Sequence, residues 1–258
     1  MLFPYLLYVF GFILGAVVGS FLNVCICRIP KKESVAFPPS HCRICDYRLR
    51  WYDNIPILSY LLLKGHCRGC GEPISPQYPV VELINGVLTV CLLVKFDLGL
   101  SFAVLFIFCS ALVTITFIDL EHQIIPDVIT LPGIVVGFLF SFFIPRFGWQ
   151  NSLIGILAGG GSLLLIAFAY SVVTKKDGMG GGDIKLMAMM GAFFGWQAVL
   201  FIIFASSLLG SLIGVAIIIA RKQDSTFAIP FGPFLSTAAI VYIFYGRQIM
   251  LWYLSLGR

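Results

Sequence analysis

The chain has 258 residues, of which 59% are hydrophobic and 11% are charged, with a formal net charge of +5. Soluble domains carry roughly 25% charged residues, so too little polar sequence remains here to cover a water-soluble core. The positive charge is concentrated in one polar segment, 28–78, which holds eight of the 17 Lys and Arg.

Taken in chain order, the apolar runs predict an all-α polytopic membrane protein, because a segment in lipid must satisfy its own backbone hydrogen bonds. The first run, about 4–27, is longer than a signal-peptide core and has no basic segment before it, which predicts a retained first span. Arg28, Pro30, Lys31 and Lys32 stop it. Further spans are predicted at about 79–95, 100–118, 128–144, 151–172, 197–219 and 229–246, with a short helix at about 184–195 that Gly195 breaks. Counting the short helix, this makes about eight membrane helices, divided as 1–27 (first helix), 28–78 (cytosolic domain) and 79–258 (membrane domain). With the amino end outside, alternation puts 28–78, 119–127, 173–183 and 221–228 inside. Taking Lys185 with the third of these, the inside segments hold thirteen of the 17 Lys and Arg, the bias expected of cytoplasmic loops.

The polar segment carries Cys42, Cys45, Cys67 and Cys70 as two CxxC pairs with 21 residues between them. Each CxxC turn brings two thiolates onto one metal, and two turns complete a tetrahedral sulfur site. The segment is too small to bury much apolar surface, so a structural zinc ion would supply folding free energy that it lacks. Gly69 and Gly71 suit the second turn, and His41 and His66 sit beside the knuckles as potential competing ligands, although four sulfurs already fill the shell. Two disulfides are the alternative, disfavoured in a reducing cytosol. Cys25, Cys27, Cys91 and Cys109 lie in apolar runs and read as packing residues. Arg43, Arg48, Arg50 and Arg68 alternate with Glu33, Asp46, Asp53 and Glu72, which argues for lipid headgroups rather than nucleic acid as the surface they meet.

Two acids stand where apolar helices end or begin. Asp119 closes the third long run; Asp183, 64 residues on, follows Gly180, Gly181 and Gly182 and opens the short helix. The glycines permit close packing and backbone angles with φ above zero. Both acids are predicted at the cytoplasmic rim, where two adjacent carboxylates sharing one proton would activate water and polarise an amide carbonyl. Three other readings stay open: Asp183 as a helix cap, Asp119 as a solvated interfacial acid, and either as part of an ion pathway. Asp177 reads as a solvated loop residue. There is no HExxH, phosphate-binding GKS/T or GxSxG pattern.

These residues resemble the bacterial type IV prepilin leader peptidases and their type II secretion counterparts, polytopic aspartic peptidases of the GxGD kind. The resemblance runs over nearly the whole chain. "GSFLNVCICRIP" (19–30) leads, the CxxC pairs flank "NIPILSYLLLKG" (54–65), and "ISPQYPVVELINGVL" (74–88), "DLEHQIIPD" (119–127) and "GMGGGDIKLMAMMGAFFGW" (178–196) follow. The sequence departs from it at Arg43, where many members have proline, and at Gln77, where arginine is common.

The resemblance implies Asp119 and Asp183 as the catalytic pair, with Gly180, Gly182 and Lys185 in the supporting loop. It implies prepilin or pseudopilin substrates whose basic leader is cut after glycine at the cytoplasmic face of the bacterial inner membrane. It also implies methylation of the new amino terminus with S-adenosylmethionine. Glu82, in the YPxVE element, is a candidate functional residue or a buried acid paired with Arg or Lys. Glu121 and Asp127 are candidates for attracting the leader. A peptidase without methylation, and a transporter with a zinc-stabilised loop, are the competing readings.

Overall fold

A computed structural model describes residues 3–144, 148–175, 180–221 and 230–256. Lys176, Asp177 and Lys222 lie outside them. The described chain is helical, with α1 (Phe3–Arg28), α2 (Leu58–Leu62), α3 (Gln77–Phe96), α4 (Leu100–His122), α5 (Asp127–Phe140), α6 (Gly148–Thr174), α7 (Gly181–Phe194), α8 (Trp196–Arg221) and α9 (Gly232–Leu256). Five of these, α1, α3, α4, α6 and α8, are long and apolar enough to cross a bilayer. The apolar stretches Asp127–Phe143 and Gly232–Gly246 are shorter, and α7 has 14 residues, about 21 Å of helix. The chain is thus an all-α polytopic membrane protein with five long spans among the described residues.

The chain packs as two units, Met1–Thr114 and Ile115–Arg258. In the first, α1 lies along α3. Lipid tails give apolar side chains no reason to prefer each other, so membrane helices associate through small residues and interhelical polar bonds. Gly11, Gly15 and Gly19 of α1 line this contact; a Cβ at Gly19 would stand 2.7 Å from the Glu82 Cα. Asn85 Nδ2 donates to the Gly15 carbonyl at 2.7 Å, Ser110 Oγ donates to Asn85 Oδ1 at 3.0 Å, and Asn23 Nδ2 donates to the Tyr78 carbonyl at 3.0 Å.

The second unit is built around α7. Every residue from Leu186 to Phe193 is buried, with α5, α6, α8 and α9 packed against the helix. A helix that is apolar on all sides belongs in the middle of a bundle. Its closest contact is with α6, where Gly155 and Gly191 meet backbone to backbone and Ser152 Oγ donates to the Ala192 carbonyl at 2.7 Å. Gly195 ends α7 as predicted, at φ +79°, and α8 starts at the next residue.

A methyl group at Gly191 has no space beside Gly155, whereas one at Gly161 meets nothing within 4 Å. Gly191→Ala is expected to lower stability by about 1–3 kcal/mol. Gly161→Ala is expected to be neutral or to raise it by up to about 1 kcal/mol. Thermal unfolding of both variants in detergent checks the pair.

Candidate functional site

The four cysteines of the polar segment converge. Their Sγ atoms all lie within 4.8 Å of one another, with Cys42–Cys70 and Cys45–Cys67 each 4.0 Å apart. Sulfurs bound tetrahedrally to zinc at 2.3 Å are about 3.8 Å apart, whereas a disulfide is about 2.05 Å long. All four cysteines are free thiols, as are Cys25, Cys27, Cys91 and Cys109. The disulfide alternative is therefore overturned.

Backbone bonds shape both knuckles in the same way. The Cys42 N–H donates to the Tyr47 carbonyl at 2.9 Å, and the Cys67 N–H to the Glu72 carbonyl at 2.8 Å. Asp46 and Gly71, the residues after each second cysteine, have φ +53° and +74°. Gly69 serves by its size: a Cβ there would stand 3.0 Å from the Tyr47 Cβ and 3.3 Å from the Cys45 Sγ. The histidines do not compete for the centre. His41 Nδ1 is 3.0 Å from the Pro39 carbonyl and His66 Nδ1 is 2.7 Å from the Lys64 carbonyl. Backbone N–H groups point at the sulfurs instead. Gly69 donates to the Cys67 Sγ at 3.4 Å, and those of Ile44 and Cys45 lower the Cys42 thiol to about 7. At Cys45 the Tyr47 N–H acts in the same direction, but desolvation and the facing Cys70, Cys42 and Cys67 thiols outweigh it and push the thiol up to about 12, so the sulfurs titrate together and not one by one.

Asp53, read from sequence only as one more acid of the loop, ties the two knuckles together. Its Oδ1 accepts the Arg68 Nε–H at 2.7 Å, and its Oδ2 accepts the Arg50 N–H at 3.2 Å and the Tyr47 hydroxyl at 3.3 Å. Burial alone would raise this carboxyl. The bonds from Arg68, Arg50 and Tyr47 outweigh it and hold the group below the usual carboxylate range.

Glu82, in α3, is buried. Its Oε2 accepts the Ile57 N–H at 2.7 Å, and its carboxylate is also bonded by Ser20. Its partners here are a backbone amide and a hydroxyl rather than Arg or Lys. Ile57 has φ +63° and ψ −50°, and the Leu58 N–H reaches the Pro56 carbonyl at 2.5 Å. This is a γ-turn in a region that β-branched residues rarely enter.

In the second unit, Asp119 lies in the last turn of α4 and is only 4% exposed, which overturns the solvated-acid reading. Its Oδ2 accepts the Gly232 N–H, the first of α9, at 2.8 Å. Asp183 is the third residue of α7, since the helix starts at Gly181 with Gly180 as its cap. Its Oδ1 is buried without a hydrogen-bond partner among the described residues. Asp119 lies within electrostatic range of Asp183. Of the three glycines before Asp183, only Gly182 is required by size, and none by left-handed backbone. Gly180 has φ −69°, none of the three has positive φ, and a Cβ at Gly182 would stand 2.7 Å from the Ile125 Cβ.

Lys185, two residues past Asp183, donates to both oxygens of Asp127 at 2.7 Å. Asp127 therefore meets a cation from its own chain. Glu121 is exposed, with His122 Nε2 at 3.7 Å from its Oε2. Sequence reasoning missed Gly232, which is 113 residues from Asp119. The only local cue was the Pro230, Gly232, Pro233 punctuation, which reads as a helix boundary and carries no hint of a partner.

Residues 13–96 match the family described as the Bacterial Peptidase A24 N-terminal domain, and residues 106–215 match the Type IV leader peptidase family. The chain is similar to the prepilin leader peptidase/N-methyltransferase of Aeromonas hydrophila, with 36% identity over 276 residues covering 98% of this chain and 95% of the relative. It is also similar to the proteins of that name from Pseudomonas putida (33% identity, covering 92% and 90%) and Pseudomonas aeruginosa (34% identity, covering 94% and 92%). No solved structure matches the chain.

Because Asp53 gathers donors from both sides of the cysteine cluster, Asp53→Ala is expected to loosen both knuckles at once. Hydrogen exchange at the Cys42 and Cys67 amides should quicken by at least about tenfold. Exchange in α7 should stay unchanged. Mass-resolved exchange on fragments of the two units reads both.

Proposed function

Because the chain belongs to the type IV leader peptidase family, we propose that it cleaves the short basic leader of prepilins or pseudopilins, with Asp119 and Asp183 as its catalytic pair. The same reading makes it methylate the amino terminus that cleavage exposes. The observation that carries the peptidase half is the buried setting of Asp119 within reach of the charge of Asp183, at the end of one helix and the start of another. Two carboxylates so placed cannot both ionise cheaply, and they hold one proton between them.

The charged carboxylate takes a proton from water, and the hydroxyl oxygen forms a bond to the scissile carbonyl carbon. The protonated partner hydrogen-bonds the carbonyl oxygen as negative charge develops there. Collapse breaks the C–N bond, and the amine leaves with a proton from the dyad. Gly182 lets the α7 start approach Ile125 closely, Gly180 caps the helix, and Lys185 fixes that turn by holding Asp127. With Asp127 so engaged, Glu121 is the acid left at this rim for a basic leader.

The methyl-transfer half is supported by the relatives, whose shared name carries both activities. S-adenosylmethionine would supply an electrophilic methyl group to the new amine. Glu82 is the candidate residue for that activity, at the strained turn it bonds. Cys42, Cys45, Cys67 and Cys70 have the spacing and free thiols for a structural zinc ion, which would hold the two halves of the 28–78 domain together.

The full arrangement we propose has about eight membrane helices, with α5, α7 and α9 joining the five long spans. The divisions are 1–27, 28–78 and 79–258. The amino end lies outside the inner membrane, with the zinc domain and both aspartates at the cytoplasmic side, as the distribution of Lys and Arg supports.

Intact mass analysis of a purified pilin-like precursor tests the reaction. Wild type is expected to remove the leader and, only with S-adenosylmethionine present, to add one CH₂ to the product. Asp119→Asn and Asp183→Asn should each cut at least about 100-fold more slowly while keeping their helical circular dichroism. Equal cutting by all three proteins would reject the pair. For the metal, Cys67→Ser is expected to lower bound zinc well below one equivalent by elemental analysis of the purified protein, and Cys91→Ser to leave it unchanged.

A further inference from the structure

We infer that the backbone N–H of Gly232 is a positioning group for the reaction, holding Asp119 in the ionised form that accepts the proton from water. The inference rests on the dyad reading above. It adds a third group, contributed by α9, which no motif in the sequence marks.

The first N–H groups of a helix have no carbonyl one turn back to bond. In α9 the N–H groups of Phe234 and Leu235 are both taken by the Phe231 carbonyl, at 3.1 Å each. The N–H of Gly232 goes instead to Asp119 Oδ2, at 2.8 Å in a buried setting. A hydrogen bond from a helix start, reinforced by the partial positive charge there, favours the anionic form of a carboxylate.

Residue size points the same way. A Cβ at position 232 would stand 2.7 Å from Asp119 Oδ2 and 3.2 Å from its Cγ. Only glycine lets the amide and the carboxylate meet at hydrogen-bonding distance without displacing the acid. Asp183 has only a local donor, the Gly180 backbone N–H three residues before it, and its Oδ1 is buried with no donor among the described residues. One aspartate is thus held by a donor from a distant helix, and the other keeps a buried oxygen open for a proton. In the forward step Oδ2 of Asp119 stays bonded to Gly232, Oδ1 takes the proton as a water O–H bond breaks, and the hydroxyl bonds to the carbonyl carbon.

The rival explanation is that the bond merely tethers α9. A backbone ester separates the two, because it removes one N–H without adding a side chain. Glycolic acid would replace Gly232, and phenyllactic acid would replace Phe234, by nonsense suppression during cell-free synthesis into nanodiscs. Each ester removes one N–H from the same helix start, but only the first faces Asp119. Gly232→Ala, which keeps the N–H and adds the crowding methyl, would run beside them. The ester at 232 is expected to lose about 10- to 100-fold in kcat with KM within about twofold of wild type. The ester at 234 should stay near wild type, and both should melt at similar temperatures. Equal losses at 232 and 234, or a 232 ester as active as wild type, would overturn the inference. Failure of the dyad reading shows separately, as undiminished cleavage by Asp119→Asn.

Discussion

The contact of Gly155 with Gly191 is the point on which the second unit depends. Two helix backbones can touch only where neither carries a side chain, and this contact holds α7 in the middle of its bundle. Lipid offers no hydrogen bonds, so polar groups near α7, with Asp183 Oδ1 an exception among the described residues, turn to protein for partners. Ser152 does so on the Ala192 carbonyl, and Lys185 on Asp127. Because α7 is buried from Leu186 to Phe193, Asp183, one turn above, is set against protein rather than lipid. The position of the acid is thus a by-product of how a helix without polar side chains in its centre is packed.

The polar segment solves the opposite problem. It has little apolar surface to bury, and its order comes from directed bonds: four sulfurs facing one another, N–H groups aimed at them, and Asp53 drawing in Arg68, Arg50 and Tyr47. Such a scaffold is specific because each donor has a single partner in place. It is also brittle, since losing one member leaves the others unsatisfied. Glu82 joins this scaffold to α3 through the Ile57 amide, so a membrane helix holds one end of a loop that lacks a core of its own.

Much of this was readable in advance. Long apolar runs announce spans because the bilayer sets their length, and the observed ends of α1, α3 and α6 fall within a few residues of those expected. The CxxC spacing announced the sulfur cluster because its chemistry is local. The short helix was expected from about 184, but it begins at Gly181. Glycine has poor helix propensity, and here tertiary packing against Ile125 outweighs it. The same bias suggested left-handed backbone where the chain needed only slimness. The bonds of Gly232 to Asp119 and of Glu82 to Ile57 had no sequence signal at all. Each joins a side chain to a backbone amide, and an amide looks the same at every residue.

The two cysteine knuckles carry a relation that hydropathy and composition do not reveal. Residues 41, 42, 45 and 46 correspond to 66, 67, 70 and 71 at a constant offset of 25. The matching positions bear the same histidine-to-carbonyl contact, the same cross-turn amide bond and the same left-handed residue. The cluster is in effect a small pseudo-dyad, and an ion held there would draw two sulfurs from each half. Neither half is a binding site alone, because it offers an ion only half a coordination sphere. Closure of one half is therefore worth little until the other closes, so the loop is expected to order in a single step.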